Sequence, residues 1–330
     1  MRPFDYIRPS GRGEAIAAVV ANRDGAFLGG GTNLVDLMKL GVVSPNLLVD
    51  VSQLVSDEIE QLAEGGVWIG AAVRNSDLAA NPVIRRHYPM LSQALLAGAS
   101  GQLRNMATVG GNLLQRTRCG YFTDTTKPCN KRVPGSGCPA RTGHHRELAI
   151  LGASPACLAV HASDMAVALV ALDAIVHVEG QQGARAIPLA SFYRLPEDTP
   201  DRDTVLEHGE LITAVDVPPT PVAARSCYRK VRDRASFAFA LVSVAAAIEV
   251  AEGAITDVRI AFGGVAPVPW RARQAESMLH GASPREDVFR DAAMAEFAAA
   301  QPLPANAFKV RLAENLMVST LLQLVEANNR

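Results

Sequence analysis

The chain has no apolar stretch long enough to span a bilayer: its richest runs, 165–172 and 237–248, fall well short of the ~20 residues a crossing helix needs. No secretory or twin-arginine signal is read at the N-terminus, where Met1 runs straight into Arg-Pro-Phe-Asp-Tyr. Export would then depend on a signal-bearing partner. Charge of one sign is also lacking. Lys and Arg total 32 against 33 Asp and Glu, a formal −1 that argues against a general nucleic-acid or polyanion binder. Five cysteines in 330 residues do not make a disulfide scaffold, and no Cys-x-x-Cys pair occurs, which weighs against a zinc ribbon or redox dithiol. His-Glu-x-x-His, Gly-x-Ser-x-Gly and paired-carboxylate signatures are absent, as are internal repeats and low-complexity segments.

What is present is the material of a folded protein. Hydrophobic residues make up 48% and charged residues 20%, enough for a sizeable core, and the length suggests two or three domains or subdomains. Periodicity places helices at 14–22, about 88–98 and 164–173, and strands at Leu47–Val51, Val67–Val73, Ala174–Glu179, Ala184–Leu189 and Leu211–Val217. From Cys227 the pattern changes. Tyr228–Val231, Phe237–Val250 and Thr256–Gly264 read as three strands, followed by helices at about 271–280, 284–299 and 307–327.

Two glycine clusters have the properties of phosphate cradles. Gly29-Gly30-Gly31-Thr32-Asn33-Leu34 opens a short helix, so exposed backbone N–H groups and a helix N-terminus face the same space. It is not a dinucleotide fingerprint, because Leu34 stands where the third glycine belongs, and no Gly-Lys-Ser/Thr follows as in a P-loop. Alone it also fits an ordinary tight turn. Thr108-Val-Gly110-Gly111-Asn112 repeats the chemistry about 80 residues later, and two such loops could grip a diphosphate from two sides.

Between them and the next helix lies a segment of different character. Residues 116–147 carry seven Lys or Arg against Asp124 and Glu147, with prolines and glycines that prevent a long regular element. So little apolar material must stay disordered or be tied down by something other than a core. Cys119, Cys129, Cys138 and Cys157 fall within 39 residues, while Cys227 stands alone. Four thiolates suffice for a [4Fe–4S] cluster, an anion that a basic shell would stabilise. Zinc, two disulfides or four unrelated thiols also fit the spacing. Cys227 reads as a buried core thiol. His144, His145 and His161 read as solvated or structural, and Lys230, Arg232, Asp233 and Arg234 as a charge run at a strand end that a solvated edge would explain.

These segments, in this order, resemble the FAD-binding subunit of the molybdenum hydroxylases, the xanthine dehydrogenase and carbon monoxide dehydrogenase family. The resemblance rests on Gly29–Leu34, Arg104–Asn112, Ser163-Asp164 before an apolar helix, Gly209-Glu-Leu-Ile212, and Lys230-Val-Arg232 before an Ala/Val-rich strand. The insert around Cys119, Cys129 and Cys138 looks like that of the bacterial periplasmic aromatic-aldehyde oxidoreductases, which carry an extra [4Fe–4S] cluster, as does 4-hydroxybenzoyl-CoA reductase.

The resemblance implies an α+β fold: a vanillyl-alcohol-oxidase-type FAD-binding region over 1–221, with two α/β subdomains and an iron–sulfur insert at about 116–157. A C-terminal α+β domain of three strands and helices follows over 222–330. It implies FAD contacts from Phe27, Leu28, Gly29, Gly30, Gly31, Thr32, Asn33, Leu34, Thr108, Gly111 and Asn112. Asp164 would meet the adenosine portion or the ribitol chain, and Leu211 and Lys230 would line the flavin, Lys230 favouring a reduced, anionic ring. Cys119, Cys129, Cys138 and Cys157 would hold the cluster. Partners would be a large molybdenum-cofactor subunit, a small subunit with [2Fe–2S] clusters, and an external electron acceptor, with no membrane insertion. This subunit would relay electrons for aldehyde oxidation and contain no substrate-oxidising residues. Its rivals are a 4-hydroxybenzoyl-CoA-reductase-like subunit and a zinc-binding scaffold. Its compartment would be the periplasm, by co-export, or the cytoplasm.

Overall fold

A computed structural model describes residues 1–328. The first layer is a small parallel sheet. β1 (Asp5–Ile7), α1 (Arg12–Ala21), β2 (Gly25–Leu28), α2 (Leu34–Lys39) and β3 (Leu47–Asp50) arrange their strands in the order β1-β3-β2. Ala15, Ile16 and Val19 of α1 lie one helical turn apart and bury against Val49, Val51 and Leu211. The β2–α2 junction is the glycine-rich turn, so the sheet presents that turn at its C-terminal edge.

The second sheet is antiparallel and interleaves distant segments. β4 (Ile59–Gln61) and β5 (Val67–Gly70) come first. Six short helices then intervene: α3 (Asn75–Ala80), α4 (Pro82–His87), α5 (Pro89–Ala97), α6 (Gly101–Met106), α7 (Val109–Leu113) and α8 (Gly120–Thr123). After α9 (Asp164–Ala171), β6 (Ile175–Gly180), β7 (Gly183–Pro188) and β8 (Leu211–Val217) complete the order β4-β5-β8-β6-β7. Every residue of α9 after Asp164 is buried, which explains a helix that is apolar all round. Ser163 caps it by accepting from the Ala166 N–H at 2.9 Å.

The third sheet is β9 (Ser226–Val231), β10 (Val242–Ala251), β11 (Ala254–Gly263) and β12 (Trp270–Arg271), in the order β12-β11-β10-β9. The three expected strands therefore have a fourth partner, a two-residue edge too short to leave a periodic signal. On β10 the larger residues Val242, Val244 and Ile248 face α10 (Arg273–Leu279), α11 (Glu286–Phe297) and α12 (Phe308–Asn328). The small Ala245 and Ala247 face α5 and α9 of the preceding region. Burial on both faces is why this strand reads as a nearly continuous apolar run. The expected start of β10 at Phe237 is corrected to Val242. Phe237 takes a left-handed backbone (φ +57°), which breaks the extended conformation, and Phe237 and Phe239 stand 63% and 50% exposed on a loop. Among the described residues no helix is long and apolar enough to cross a membrane.

Candidate functional site

The two glycine loops meet. A β-carbon built on Gly30 would stand 2.0 Å from the Met106 carbonyl oxygen and 3.1 Å from the Ala107 Cα, so only glycine allows the backbones this close. Gly31 holds φ +73° and turns the chain into α2. Thr108 caps α7 by accepting from the Gly111 N–H at 3.2 Å, and its own loop is bonded to the continuation of β5, Gly110 N–H donating to the Ala71 carbonyl and Val109 N–H to the Val73 carbonyl, both at 3.0 Å. In contrast, the N–H groups of Gly30, Gly31, Thr32 and Asn33 have no acceptor among the described residues. The Asn33 side chain accepts from the Arg116 N–H at 2.9 Å, and its Nδ2 is buried without a partner. In the second loop only the Thr108 N–H is likewise without an acceptor among the described residues, so most of the unused donors belong to the first loop and the second is its rigid backing.

Two cavities open on either side of this contact. The larger, about 580 Å³, is walled by Leu95, Met165, Asp164, Lys230, Arg118 and Phe239; the smaller, about 310 Å³, by Phe27, Val51, Thr108, Leu211 and Ile212. Gly31, Thr32, Asn33 and Gly111 line both, so the loops form a waist between two lobes. Gly29, Gly30 and Leu34 belong to the smaller lobe and Asn112 to the larger, whereas Leu28 lines neither. Leu211 and Lys230, both expected beside the flavin, thus line different lobes.

Lys230 is buried, its side chain 4% exposed, and it donates to Asp164 Oδ2 at 2.8 Å and to the Ala97 carbonyl at 3.2 Å. A solvated strand edge is therefore wrong for this residue. Asp164 is itself fixed by Tyr228, whose hydroxyl donates to Oδ1 at 2.5 Å, and burial and then the Asp164 charge push the Tyr228 phenol far up. The carboxylate neutralises Lys230, which removes most of the charge attraction that Lys230 alone would exert. Arg118 differs. It lies at the shared wall of the larger cavity and a third one of about 850 Å³, over the Phe239 ring at 5.3 Å, with no carboxylate within ion-pair distance among the described residues. Burial lowers its pKa, and Asp36 only partly offsets that.

The four cysteines of the insert converge. Cys119, Cys129, Cys138 and Cys157 line one small enclosed pocket with Phe122, Leu158 and Ala159, although the chain between them holds only α8 and a 3-10 turn at Pro139–Arg141. All five cysteines are free thiols. Among the described residues no three His, Cys, Asp or Glu side chains meet closely enough to hold a single metal ion. A cubane cluster spreads its thiolates over four outer irons and needs them farther apart than one ion does. Burial pushes the Cys119 thiol up to about 11, helped by Cys157 and Cys129 nearby and opposed by the Phe122 and Tyr121 N–H groups. Cys227 is half-buried, on the edge of the third sheet's core, and burial raises its thiol to about 11.

His144 is exposed, and His145 and His161 are structural. The His145 ring accepts from the Ala305 N–H at 3.1 Å, and burial lowers His161 to about 4 as it packs edge-on to Tyr193. Sequence reasoning missed Tyr228, Arg118 and Asp203. Tyr228 lies two residues before Lys230 on the same strand face, which was a readable signal. Asp203, which pairs with Arg116 at 2.7 Å and with Lys131, left none, since its partners are 87 and 72 residues away.

Comparison with known proteins agrees with this geometry. Residues 2–220 match the family described as the FAD binding domain in molybdopterin dehydrogenase, and residues 226–324 match the CO dehydrogenase flavoprotein C-terminal domain. The chain is 51% identical over 325 residues to the aldehyde oxidoreductase FAD-binding subunit PaoB of Escherichia coli, covering 98% of both chains. It is 30% identical to the glyceraldehyde dehydrogenase medium chain of Sulfolobus acidocaldarius, covering 88% of this chain and 85% of that one. Its fold superposes on a chain of quinoline 2-oxidoreductase from Pseudomonas putida with a TM-score of 0.75 at 22% identity, covering 99% and 98%. Two loops clasped at a waist, a sheet packed on both faces and these matches along nearly the whole length place the chain among the FAD-binding medium subunits of the molybdenum hydroxylases.

Proposed function

We propose that this chain is the electron-transfer flavoprotein subunit of a heterotrimeric, molybdenum-dependent aldehyde oxidoreductase, holding FAD and one [4Fe–4S] cluster. The observation that carries the reading is the waist: one row of unused N–H donors between two lobes, the shape a dinucleotide cofactor needs. Gly30, Gly31, Thr32 and Asn33 would hold the diphosphate, with Thr108, Gly111 and Asn112 behind them. The smaller lobe suits the adenine, against Phe27 and Leu211. The larger suits the flavin ring, with Leu95 and Met165 excluding water and the Asp164–Lys230 pair orienting its polar edge. FAD, when bound, supplies an acceptor that takes and releases electrons singly or in pairs.

The cysteine pocket supports the cluster. It adjoins the larger lobe along the chain, since Arg118 walls that lobe and Cys119 is the next residue. The FAD-binding region would run over 1–221, including the insert at about 116–157, and the C-terminal domain over 222–330. The aldehyde assignment comes from the 51% identical relative, and the family resemblance supplies the proposed partners, a large molybdenum-cofactor subunit and a small [2Fe–2S] subunit. Co-purification with those subunits should give a complex with one FAD and iron in this chain, flavin bands and a broad shoulder near ~400 nm. Aldehyde oxidation by the complex should be lost when FAD is removed. A complex without flavin, or one inert towards aldehydes, would refute the assignment.

A further inference from the structure

Three consecutive residues after Cys129 do three different jobs. Asn130 joins the cysteine arms: its side chain donates to the Ala156 carbonyl at 2.9 Å and accepts from the Gly137 N–H at 2.7 Å, next to Cys157 and Cys138 respectively. Arg132 donates to the Tyr121 and Phe122 carbonyls at 2.8 and 2.7 Å, on the Cys119 arm. Lys131 points out of the insert instead. It is 8% exposed, donates to the Pro200 carbonyl at 2.6 Å and pairs with Asp203.

Asp203 has a second partner on the other side. Its Oδ2 accepts from Arg116 Nε at 2.7 Å, and the Arg116 backbone N–H donates to Asn33 Oδ1 at 2.9 Å. Asn33 is in the first glycine loop, at the waist. A continuous series of bonds therefore runs from the cysteine pocket through Lys131, Asp203 and Arg116 to the loop with the free N–H donors. Besides Cys157, the buried apolar side chains of 116–157 are Phe122, Ala140, Leu148, Ala149, Ile150 and Leu151, and Ile150 and Leu151 pack into the C-terminal core, so the arms that carry Cys129 and Cys138 have little core of their own and would be fixed by what the cysteines hold.

We propose that Asp203 is a positioning residue that makes FAD retention depend on the iron status of the cysteine pocket. This rests on the reading of that pocket as an iron–sulfur site. With the cluster in place, Lys131 is fixed, Asp203 is held between two cations, and Arg116 presents its N–H to Asn33. Without it, Lys131 moves with its arm, Asp203 loses one of its two restraints, and the diphosphate loop loosens. Asp203 touches neither the flavin lobes nor the cysteine pocket. Its effect is exerted wholly through Arg116 and Lys131.

The test is a cycle of FAD affinities on the full-length chain in its purified complex, with and without iron, for wild type, Asp203→Asn, Asp203→Glu and Lys131→Met. Flavin is removed and titrated back, and iron is removed by oxidation in the presence of EDTA. Stripping iron from the wild type should raise the FAD dissociation constant about tenfold, the size of one charge-assisted hydrogen bond. Asp203→Asn should bind FAD equally weakly in both iron states, and Asp203→Glu should restore the wild-type response. Lys131→Met, which cuts only the cysteine-side arm, should lose the iron dependence even if Asp203→Asn folds poorly. An unchanged affinity in iron-free wild type, or an iron response surviving in Asp203→Asn and Lys131→Met, would overturn the linkage alone. Absence of iron from the wild-type chain would instead remove the iron–sulfur reading, and the linkage with it.

Discussion

Replacing Lys230 by Met should cost far more than the loss of one surface lysine. Met preserves the length and most of the volume of the side chain, so the cavity left is small. What remains is a carboxylate, Asp164, only 10% exposed and stripped of the ammonium that sat 2.8 Å away. Removing one partner of a buried pair costs about 3–5 kcal/mol, because the other charge stays out of water. The Tyr228 hydroxyl still donates to Asp164 at 2.5 Å and softens this, which places the expectation at the lower end, about 3 kcal/mol. Adding Asp164→Asn to Lys230→Met should recover most of the loss, since a neutral amide oxygen still accepts from Tyr228 and no unpaired charge is left. Urea unfolding followed by fluorescence suits the measurement, as Trp68 reports on the second sheet and Trp270 on the third, and the Asp164–Lys230 pair joins α9 to β9 between them. A loss under about 1 kcal/mol in the single variant, the scale of an exposed pair, would refute the argument. So would a double variant no more stable than the single.

Gly30→Ala should yield folded protein with little FAD, since its Cβ meets backbone at 2.0 Å, whereas Gly111→Ala, 3.0 Å from the Thr108 side-chain oxygen, should retain more; flavin-to-protein ratios decide the order. Cys129→Ser should lower iron content and make residues 116–157 easier to cleave with protease, while Cys227→Ser should keep iron and flavin at a cost of no more than about 1–3 kcal/mol. Lys309 is fully buried, donates to the Glu147, Leu148 and Gly264 carbonyls, and is lowered by burial to about 7. Between about pH 7 and its unfolded value near ~10.4 the unfolded chain holds a proton the folded one has released, so this group makes stability rise with pH there. Lys309→Met should flatten that rise when unfolding free energies are compared at pH 7 and pH 9, and an identical slope in both proteins would count against a depressed Lys309.

The elements with strong periodicity were legible. Leu211–Val217 is the strand expected from its alternation, and Ser163 before an apolar run is the helix cap it resembled. β1, β2 and β4 are too short for a pattern, and so are α6 and α7, although Val109 and Leu113 of α7 are buried in the main core. Phe237-Ala-Phe239 misled because an apolar alternation can line a cavity as well as a sheet. At the site, the glycines were readable because close backbone approach admits no other residue. The charges were not. Lys230 was visible as a cation, but its partner Asp164 lies 66 residues away, so sequence could not show that the pair is internally neutral.

The same difficulty recasts the basic insert. A net excess of five positive charges in 116–147 suggests an electrostatic shell around an anionic cluster. The structure gives most of these cations other work. Arg116 and Lys131 share Asp203, Arg146 pairs with Asp233, Arg132 donates to carbonyls of the Cys119 arm, and Arg141 donates to the Ser154 and Pro155 carbonyls. A segment with too few apolar residues for a core must satisfy its backbone carbonyls in some other way, and guanidinium groups, each with five donors, can satisfy several carbonyls at once. The charge count therefore measures hydrogen-bonding capacity more than field. Arg118 also donates to a carbonyl, that of Arg116 at 2.5 Å, but, half-buried, one residue from Cys119 and with no carboxylate within ion-pair distance among the described residues, it brings an unneutralised charge to the wall of the larger lobe.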